Sequence, residues 1–506
     1  MRLVIFIFIS LCITIELEAQ VTKIIRSTNV NGHNQIDTFK TDRPDTLLIL
    51  NKPNEQLLNR AKAQSNSFES PIFKSKKDSA EYAAIQIRTE ETLQNPVYNK
   101  KLVDSLFLVR MRIAERGIIG FRRNYSANPK YTPYDDLKDV DPNTVGSLSI
   151  SKVSSLPDLS AFKNLETLEL VNTTISKIPR KLNRLTKLKT VYVYNNKSKA
   201  PLKLKRNKNI TTLVIEGDRP SSLPKSFKPF TSLTKLDLSR NSLQDFPNGG
   251  RNNKKLTELI LTNNAITLAG NEIRPHPYLK KLDLYKNKIE KVPASIGNLP
   301  SLEILKFNYN LITEVSPDIS KLGNLKHLSF YSNRLSAIPD GVYQLAFLKE
   351  IDLYYNDIDR LDERAIQWKN LEVLYLAYNN IFSLPNNLGE LNTLEELYLH
   401  DNRLNTLPDK LGDLIKLKVL RINDNNLLYV PPLLSKLVNL ENLDISKNQI
   451  QSLPADFFNF QHLKILALVS NPWDAETKTM LVERAKELRA KNVVVHLNSY
   501  DETLED

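Results

Sequence analysis

An asparagine recurs every 23 residues along this chain, from residue 241 to residue 471. Each asparagine closes the same pattern, Leu-x-x-Leu-x-Leu-x-x-Asn, in which Ile or Phe replaces some of the leucines. A fixed period of this length is typical of a stacked array of similar units, so it constrains the fold before any local preference is considered. The recurring residues are Asn241, Asn264, Asn287, Asn310, Asn333, Asn356, Asn379, Asn402, Asn425, Asn448 and Asn471.

The alternation Leu-x-Leu in each unit predicts a short β-strand whose leucines point into a shared core. The chain must turn after this strand, and the turn leaves backbone donors and acceptors that need partners inside the stack. An asparagine side chain both donates and accepts, so we expect the recurring asparagines to form a structural ladder. The second half of many units reads Leu-Pro-x-x-Leu-x-x-Leu, as at residues 407–414, and predicts an irregular or short helical turn.

This pattern resembles the leucine-rich repeat superfamily, in the 23-residue class of bacterial and Ras-suppressor-like members. The resemblance implies an α/β fold, a curved right-handed leucine-rich repeat solenoid with a concave parallel β-sheet, and such arrays mainly offer a long surface to a partner. Alignment on Leu236 predicts about fifteen strands, centred on residues 148, 168, 191, 213, 236, 259, 282, 305, 328, 351, 374, 397, 420, 443 and 466. Thr173 and Asp218 replace the ladder asparagine, and aspartate cannot donate, so we expect a ladder contact to be lost or replaced there.

Residues 1–19 are interpreted as a secretory signal peptide, because Arg2 precedes an apolar run and Ala19 offers a small residue for cleavage. We expect a secreted or periplasmic protein, and no transmembrane segment is predicted. The only cysteine, Cys12, follows the bulky Leu11, which argues against a lipid anchor. Extracellular animal and plant proteins that resemble this array usually carry cysteine-bridged caps, so a mature chain without cysteine favours a bacterial protein.

The parts outside the array have their own patterns. Residues 20–140 predict a small, mainly helical region, with a strand at 46–50, a helix start at 78–81 and a helix at 101–116, although this region could equally be partly disordered. Residues 141–471 form the array. Residues 472–506 predict a C-terminal cap with a helix through about Ala490, a strand at 493–495 and an acidic tail.

No motif in the chain indicates catalysis. The sequence lacks the Gly-x-Ser-x-Gly, His-Glu-x-x-His and phosphate-loop motifs, so we predict no catalytic residue, no metal site and no cofactor. An enzyme with an unrecognised site in residues 20–140 remains the third hypothesis for the function. Nucleic acid is not expected as a partner, because no nucleic-acid-binding motif accompanies the net charge of +13.

One basic cluster could contact an anionic surface, although a simply solvated run is the alternative interpretation. Its members are Lys197, Lys199, Lys203, Lys205, Arg206 and Lys208.

Tyrosines concentrate at the outward strand positions of the six units that end at Asn287 through Asn402. Eight of the 18 outward positions are tyrosine, whereas 19 tyrosines in 506 residues would place about 0.7 there by chance. Tyrosine is favoured at protein interfaces, so we predict a concave patch that binds a protein partner, with a glycan as the alternative ligand. A third interpretation is that the rings only stack on one another. The predicted patch comprises Tyr285, Tyr309, Tyr331, Tyr354, Tyr355, Tyr375, Tyr378, Tyr398, His327, His400 and Asp352.

Overall fold

The structure of the protein is a computed structural model that divides the chain into two compact units, Met1–Asn124 and Tyr125–Asp506. It describes residues 128, 130–138, 140–217, 223–247, 253–269 and 273–497, together with strands among the first 122 residues.

The first unit contains an antiparallel sheet and a separate antiparallel pair of strands. The sheet strands are Leu3–Ile9, Leu11–Glu18, Val21–Val30 and His33–Thr41, and the pair is Ser70–Phe73 with Ile118–Arg122. Val21–Val30 and His33–Thr41 are rich in Val, Ile and Thr, which favour strands, so these two segments of the predicted mainly helical region are strands. The predicted strand at 46–50 and the predicted helices at 78–81 and 101–116 lie outside the described residues. The signal peptide remains a prediction.

The described residues of the second unit form one parallel sheet of seventeen strands, and each pairs with the next along the chain. The strands are Thr132–Pro133, Ser147–Ser151, Thr167–Val171, Thr190–Tyr194, Thr212–Glu216, Lys235–Asp237, Glu258–Ile260, Lys281–Asp283, Ile304–Lys306, His327–Ser329, Glu350–Asp352, Val373–Tyr375, Glu396–Tyr398, Val419–Arg421, Asn442–Asp444, Ile465–Ala467 and Val494–His496. All fifteen predicted array strands are confirmed. The pairings run from the first strand to the last, so the sheet is open.

The register keeps equivalent residues side by side along the stack. Leu148 lies opposite Leu168, and the series continues to Leu466, which lies opposite Val495. Each of the fifteen central residues is at most 1% exposed, because neighbouring coils cover both faces of every coil.

The recurring asparagines hold the turn that follows each strand. Asn333 donates through Nδ2 to the carbonyl oxygens of Phe307 (3.0 Å) and Phe330 (2.9 Å), and its Oδ1 accepts from the backbone N–H of Ile312 (3.0 Å). Equivalent contacts recur at each ladder asparagine from residue 264 to residue 471. The early units differ, since Thr173 donates to the side chain of the next unit's Asn196 at 3.1 Å. Asp218 lies outside the described residues.

Short helical turns and two-stranded pairs occupy the outer side of the coils. Proline directly precedes several of these helices, because its fixed φ suits the entry into the turn. The helices are Tyr134–Asp136, Pro142–Thr144, Arg180–Arg184, Ala294–Asn298, Pro317–Lys321, Asp340–Tyr343, Glu363–Gln367, Leu388–Glu390, Asp409–Asp413 and Pro432–Lys436. The pairs are Lys177–Ile178 with Lys203–Leu204 and Lys291–Val292 with Glu314–Val315.

A C-terminal cap covers the last coil, as the sequence predicts. The helix Ala475–Ala490 begins after Asp474, whose side chain accepts from the backbone N–H of Thr477 at 2.7 Å. Leu481 and Leu488 are buried against the array, and the strand Val494–His496 then extends the sheet. Among the described residues, no helix combines the length and apolar character needed to cross a membrane.

Candidate functional site: the concave tyrosine face

The turn after each strand decides which side chains face the concave side. In the units that end at residues 241 to 471, the residue before the ladder asparagine has φ between 53° and 61°. This left-handed region favours Gly, Asn and Asp, because a Cβ crowds the following carbonyl oxygen. The strand residues and this left-handed residue together form the outward surface of each coil.

The eight tyrosines of six consecutive units lie half-buried on this surface and form what we call the tyrosine face. Their rings make a continuous series of contacts across the coils. The ring centroids of Tyr285 and Tyr309 are 5.1 Å apart, and those of Tyr309 and Tyr331 are also 5.1 Å apart. Most of these neighbours meet edge to face or tilted, which is a preferred arrangement for aromatic pairs.

Two closely stacked pairs lie in the last three units of the tyrosine face. Tyr355 and Tyr378 stack at 4.2 Å with an interplanar angle of 10°, and Tyr375 and Tyr398 stack at 4.9 Å and 21°. Tyr354 lies between these pairs, at 5.3 Å from Tyr375 and 6.4 Å from Tyr378. The structure therefore brings all eight predicted tyrosines into one cluster.

Three of the tyrosines occupy the left-handed position of the turn. Tyr309, Tyr355 and Tyr378 have φ of 56°, 53° and 56°. Five of the other eight units place a small polar residue there, such as Asn263 or Asp424, and three place Arg240, Lys286 or Lys447. A bulky side chain in this conformation costs on the order of 1 kcal/mol. The turn alone therefore does not explain tyrosine at these positions.

Burial among the rings keeps the phenol groups protonated. It raises the pKa of Tyr309 and Tyr354 well above the usual range, and it also raises the pKa of Tyr375 and Tyr398. The hydroxyl of Tyr398 donates to Glu396 Oε2 at 2.7 Å. These hydroxyls can therefore exchange hydrogen bonds with a ligand without carrying charge.

A carboxyl group lies at the floor of the tyrosine face. Asp352 accepts from Ser329 Oγ at 2.8 Å and from the backbone N–H of Tyr354 at 3.2 Å. Burial raises the pKa of Asp352 to about 6, although both hydrogen bonds act in the opposite direction. This side chain changes charge in mildly acidic conditions.

The two predicted histidines have different positions. The imidazole Nδ1 of His327 lies 3.2 Å from Glu350 Oε2 at the start of its strand. His400 is 2% exposed, and its ring packs against Tyr354 and Tyr378 at 5.5 and 5.4 Å. His400 therefore supports the rings from beneath, and direct contact with a partner would be left to the tyrosines.

Sequence reasoning missed three charged members of this surface. Glu350 and Glu396 begin their strands beside Asp352 and Tyr398, and the guanidinium carbon of Arg421 lies 5.9 Å from the Tyr398 ring centroid. The signal was available, because these residues also hold outward strand positions. Glu350 and Glu396 precede the three outward positions beside each ladder asparagine, and Arg421 lies one unit after the six tyrosine units.

A smaller aromatic group at the start of the sheet was also missed. The rings of Tyr192 and Tyr194 stack at 5.6 Å, and Tyr131 lies beside Tyr192. Burial raises the pKa of Tyr131, with a smaller contribution from Tyr192. Both strand tyrosines occupy the same outward positions as those of the tyrosine face, but in an irregular early unit.

The predicted basic cluster lies away from the tyrosine face, on the outer side of the early units. Its strand Lys203–Leu204 pairs in parallel with Lys177–Ile178. All six predicted side chains are exposed. The two candidate surfaces are thus separate.

Family models match two parts of the array. A model described as leucine-rich repeat region matches residues 367–505, and one described as leucine rich repeat matches residues 277–335. The two matched parts of the chain are leucine-rich repeats. None of the curated proteins compared with it matches.

Solved structures share the leucine-rich repeat fold. A leucine-rich repeat protein of Leptospira interrogans is similar, with 26% identity and a TM-score of 0.57, over 72% of this chain and 99% of that chain. Toll, from the Drosophila Toll–Spätzle complex, has 20% identity and a TM-score of 0.56, over 66% of this chain and 48% of its own. A plant peptide hormone receptor in complex with RGF2 has 21% identity and a TM-score of 0.50, over 64% and 58%.

Proposed function

We propose that this leucine-rich repeat protein is a binding protein, not an enzyme, and that its tyrosine face holds a protein partner. The observation that carries the proposal is the continuous cluster of eight half-buried tyrosine rings on six adjacent coils. Tyrosine offers a large contact area and a polar end, and it loses little conformational entropy on binding.

The left-handed tyrosines support a role beyond folding. Tyr309, Tyr355 and Tyr378 accept a backbone cost that asparagine or aspartate avoids in other units. Mutual stacking offsets part of this cost for Tyr355 and Tyr378. A surface that also gains from a ligand accounts for all three positions.

The charged groups on the tyrosine face favour a partner segment with lysine or arginine. Glu350 and Glu396 lie among the rings, and Arg421 shows that a guanidinium can lie within 5.9 Å of a tyrosine centroid on this surface. A cation over an aromatic ring gains roughly 0.5–2 kcal/mol, depending on how well water is excluded. The Toll and hormone-receptor structures share only the fold with this chain, and a shared fold does not identify a partner. The proposal therefore depends on the residues of the tyrosine face.

A pull-down with a fourfold variant tests the proposal. Tyr331, Tyr354, Tyr375 and Tyr398 are changed to serine, and we expect this variant to lose the captured partner. The matched control changes four exposed aromatic residues off the concave face, Tyr278, Phe347, Phe382 and Tyr429, to serine, and should capture normally. Thermal unfolding of both variants separates lost binding from lost folding.

Two outcomes would contradict a protein-binding tyrosine face. If the wild type and the fourfold tyrosine variant capture the partner equally, the tyrosine face is not the binding site. Release of the partner by free sugars would show that the rings bind a glycan.

Hydrolytic activity that survives deletion of the array would instead indicate an enzyme in residues 20–140.

We also propose that the protein is bacterial and is exported, with residues 1–19 as the signal peptide. Arg2, the apolar run and the small Ala19 support this assignment. Expression of the full chain in a bacterium, followed by N-terminal sequencing of the exported protein, should give Gln20 as the first residue. Retention of an uncleaved chain in the cytoplasm would contradict it.

A further inference from the structure

Two early units contain a long stretch without any carboxylate. Between Glu169 and Glu216 the sequence has nine lysines, three arginines and no Asp or Glu, so this stretch carries a formal charge of +12, against +13 for the whole chain. The twelve residues are Lys177, Arg180, Lys181, Arg184, Lys187, Lys189, Lys197, Lys199, Lys203, Lys205, Arg206 and Lys208. The net charge of the protein is therefore concentrated in two coils.

All twelve side chains are exposed, and none occupies an outward position of the concave sheet. We call them the basic outer surface. Lys177 lies directly opposite Lys203 in the outer strand pair. The loop after the strand Lys203–Leu204 lies against the helix Arg180–Arg184. Asn183 in this helix donates to the carbonyl oxygen of Arg206 at 2.7 Å and accepts from the backbone N–H of Lys208 at 2.9 Å.

Ion pairs between neighbouring coils recur in the later units but are scarce in these two. Glu303 is paired with Lys280 at 2.8 Å and with Lys326 at 3.0 Å, in neighbouring coils. Among the described residues, the basic outer surface forms one ion pair, between Lys181 and Asp158 at 3.8 Å. Like charges placed side by side on adjacent strands are destabilising. This arrangement weakens the fold unless an external anion compensates.

The surroundings of these cations restrict what that anion can be. The exposed large apolar side chains of the described chain all lie at residue 278 or later, so this surface has no anchor for a membrane interior. The aromatic residues of the stretch, Tyr192 and Tyr194, are on the concave side, so no stacking platform for nucleobases accompanies the charge. The cations follow two neighbouring coils around a convex outer turn, which a flexible chain can follow and a flat bilayer touches only in part.

We propose that the basic outer surface binds a flexible anionic polymer, made of sugar or polyol units that carry a phosphate, sulfate or carboxylate on each repeat. Lysine ammonium groups act as mobile point charges and need no fixed geometry in the polymer. The polymer would tether the protein while the tyrosine face, on the other side of the coils, stays accessible. The inference does not depend on the function proposed for that face.

The test measures binding to dextran sulfate with the full chain. One variant changes Lys177, Lys203, Lys205 and Lys208 to glutamine. The matched control makes the same change in net charge at exposed lysines elsewhere, Lys288, Lys369, Lys410 and Lys436. We expect the first variant to bind roughly a hundredfold more weakly at physiological salt, and its plot of log affinity against log salt to be shallower by about three. The control should stay within about threefold of the wild type.

Each other outcome overturns the proposal. Equal losses in both variants would mean that only the net charge matters. Unchanged affinity of the first variant would place the polymer elsewhere. Tighter binding to vesicles with anionic lipids, or to a single-stranded DNA oligonucleotide, would identify a different class of ligand. Because lysine removal here relieves repulsion, the melting temperature of the first variant should not fall.

Discussion

The two units that form the basic outer surface and the six units that form the tyrosine face share one backbone plan but treat charge in opposite ways. In the tyrosine units, lysines form ion pairs with glutamates of a neighbouring coil, as at Lys349 and Glu372, which lie 2.6 Å apart. In the basic units, neighbouring coils place lysine opposite lysine, as at Lys177 and Lys203. The repeat therefore fixes where a side chain lies, and the residue chosen there decides what the surface can bind.

The ladder gives the largest contrast between the two regions. In the tyrosine units, Asn356 holds the carbonyl oxygens of Phe330 and Leu353 and the backbone N–H of Leu335 at 3.0–3.1 Å. Asn356→Ala should lower the free energy of unfolding by about 4 kcal/mol, because several buried polar groups lose their partner. Thr173→Ala, in the units that form the basic outer surface, should lower the free energy of unfolding by only about 1 kcal/mol. Urea unfolding measures both, and equal losses would contradict the contrast.

The pH dependence of the tyrosine units should be dominated by Asp352. Burial raises its pKa from 3.8 to about 6, so the folded protein holds this proton more tightly than the unfolded chain. The resulting stabilisation is complete below pH 3.8 and is lost as the pH rises to about 6, by at most about 3 kcal/mol. Asp352→Asn should remove this fall in unfolding experiments between pH 4 and 7. The exposed Asp357→Asn is the control and should keep the wild-type slope.

Neighbouring tyrosines on the same coil should respond differently to substitution. Tyr354→Asn should lower the free energy of unfolding by about 2 kcal/mol, because its ring contacts those of Tyr375 and His400. Tyr355→Asn should change it by less than about 0.5 kcal/mol, because relief of the left-handed strain offsets the lost stacking on Tyr378. Chemical denaturation gives both values. A large loss from Tyr355→Asn would favour the view that the rings serve only stability.

The smallest effects come from surface charge, and they should have opposite signs in the two regions. Glu303→Gln removes pairs with Lys280 and Lys326 and should destabilise by about 0.5 kcal/mol at low salt. Lys203→Gln removes repulsion with Lys177 and should stabilise by a similar amount. Both shifts in melting temperature should vanish in about 1 M salt, where charges are screened. Shifts of the same sign would remove the distinction between the two charge patterns.

The array and its strand centres follow from the amino-acid pattern, because a strict period makes every unit bury the same positions against the next. The C-terminal cap follows from the change of pattern after Asn471. The pattern also located the eight outward tyrosines, since strand alternation decides which residues face away from the core. How these positions combine depends on the packing of one coil against the next. The burial of His400, the raised pKa of Asp352, the left-handed tyrosines and the meeting of Lys177 with Lys203 all arise from contacts between coils. Such contacts join residues that are distant in sequence, so the pattern of one unit alone does not contain them.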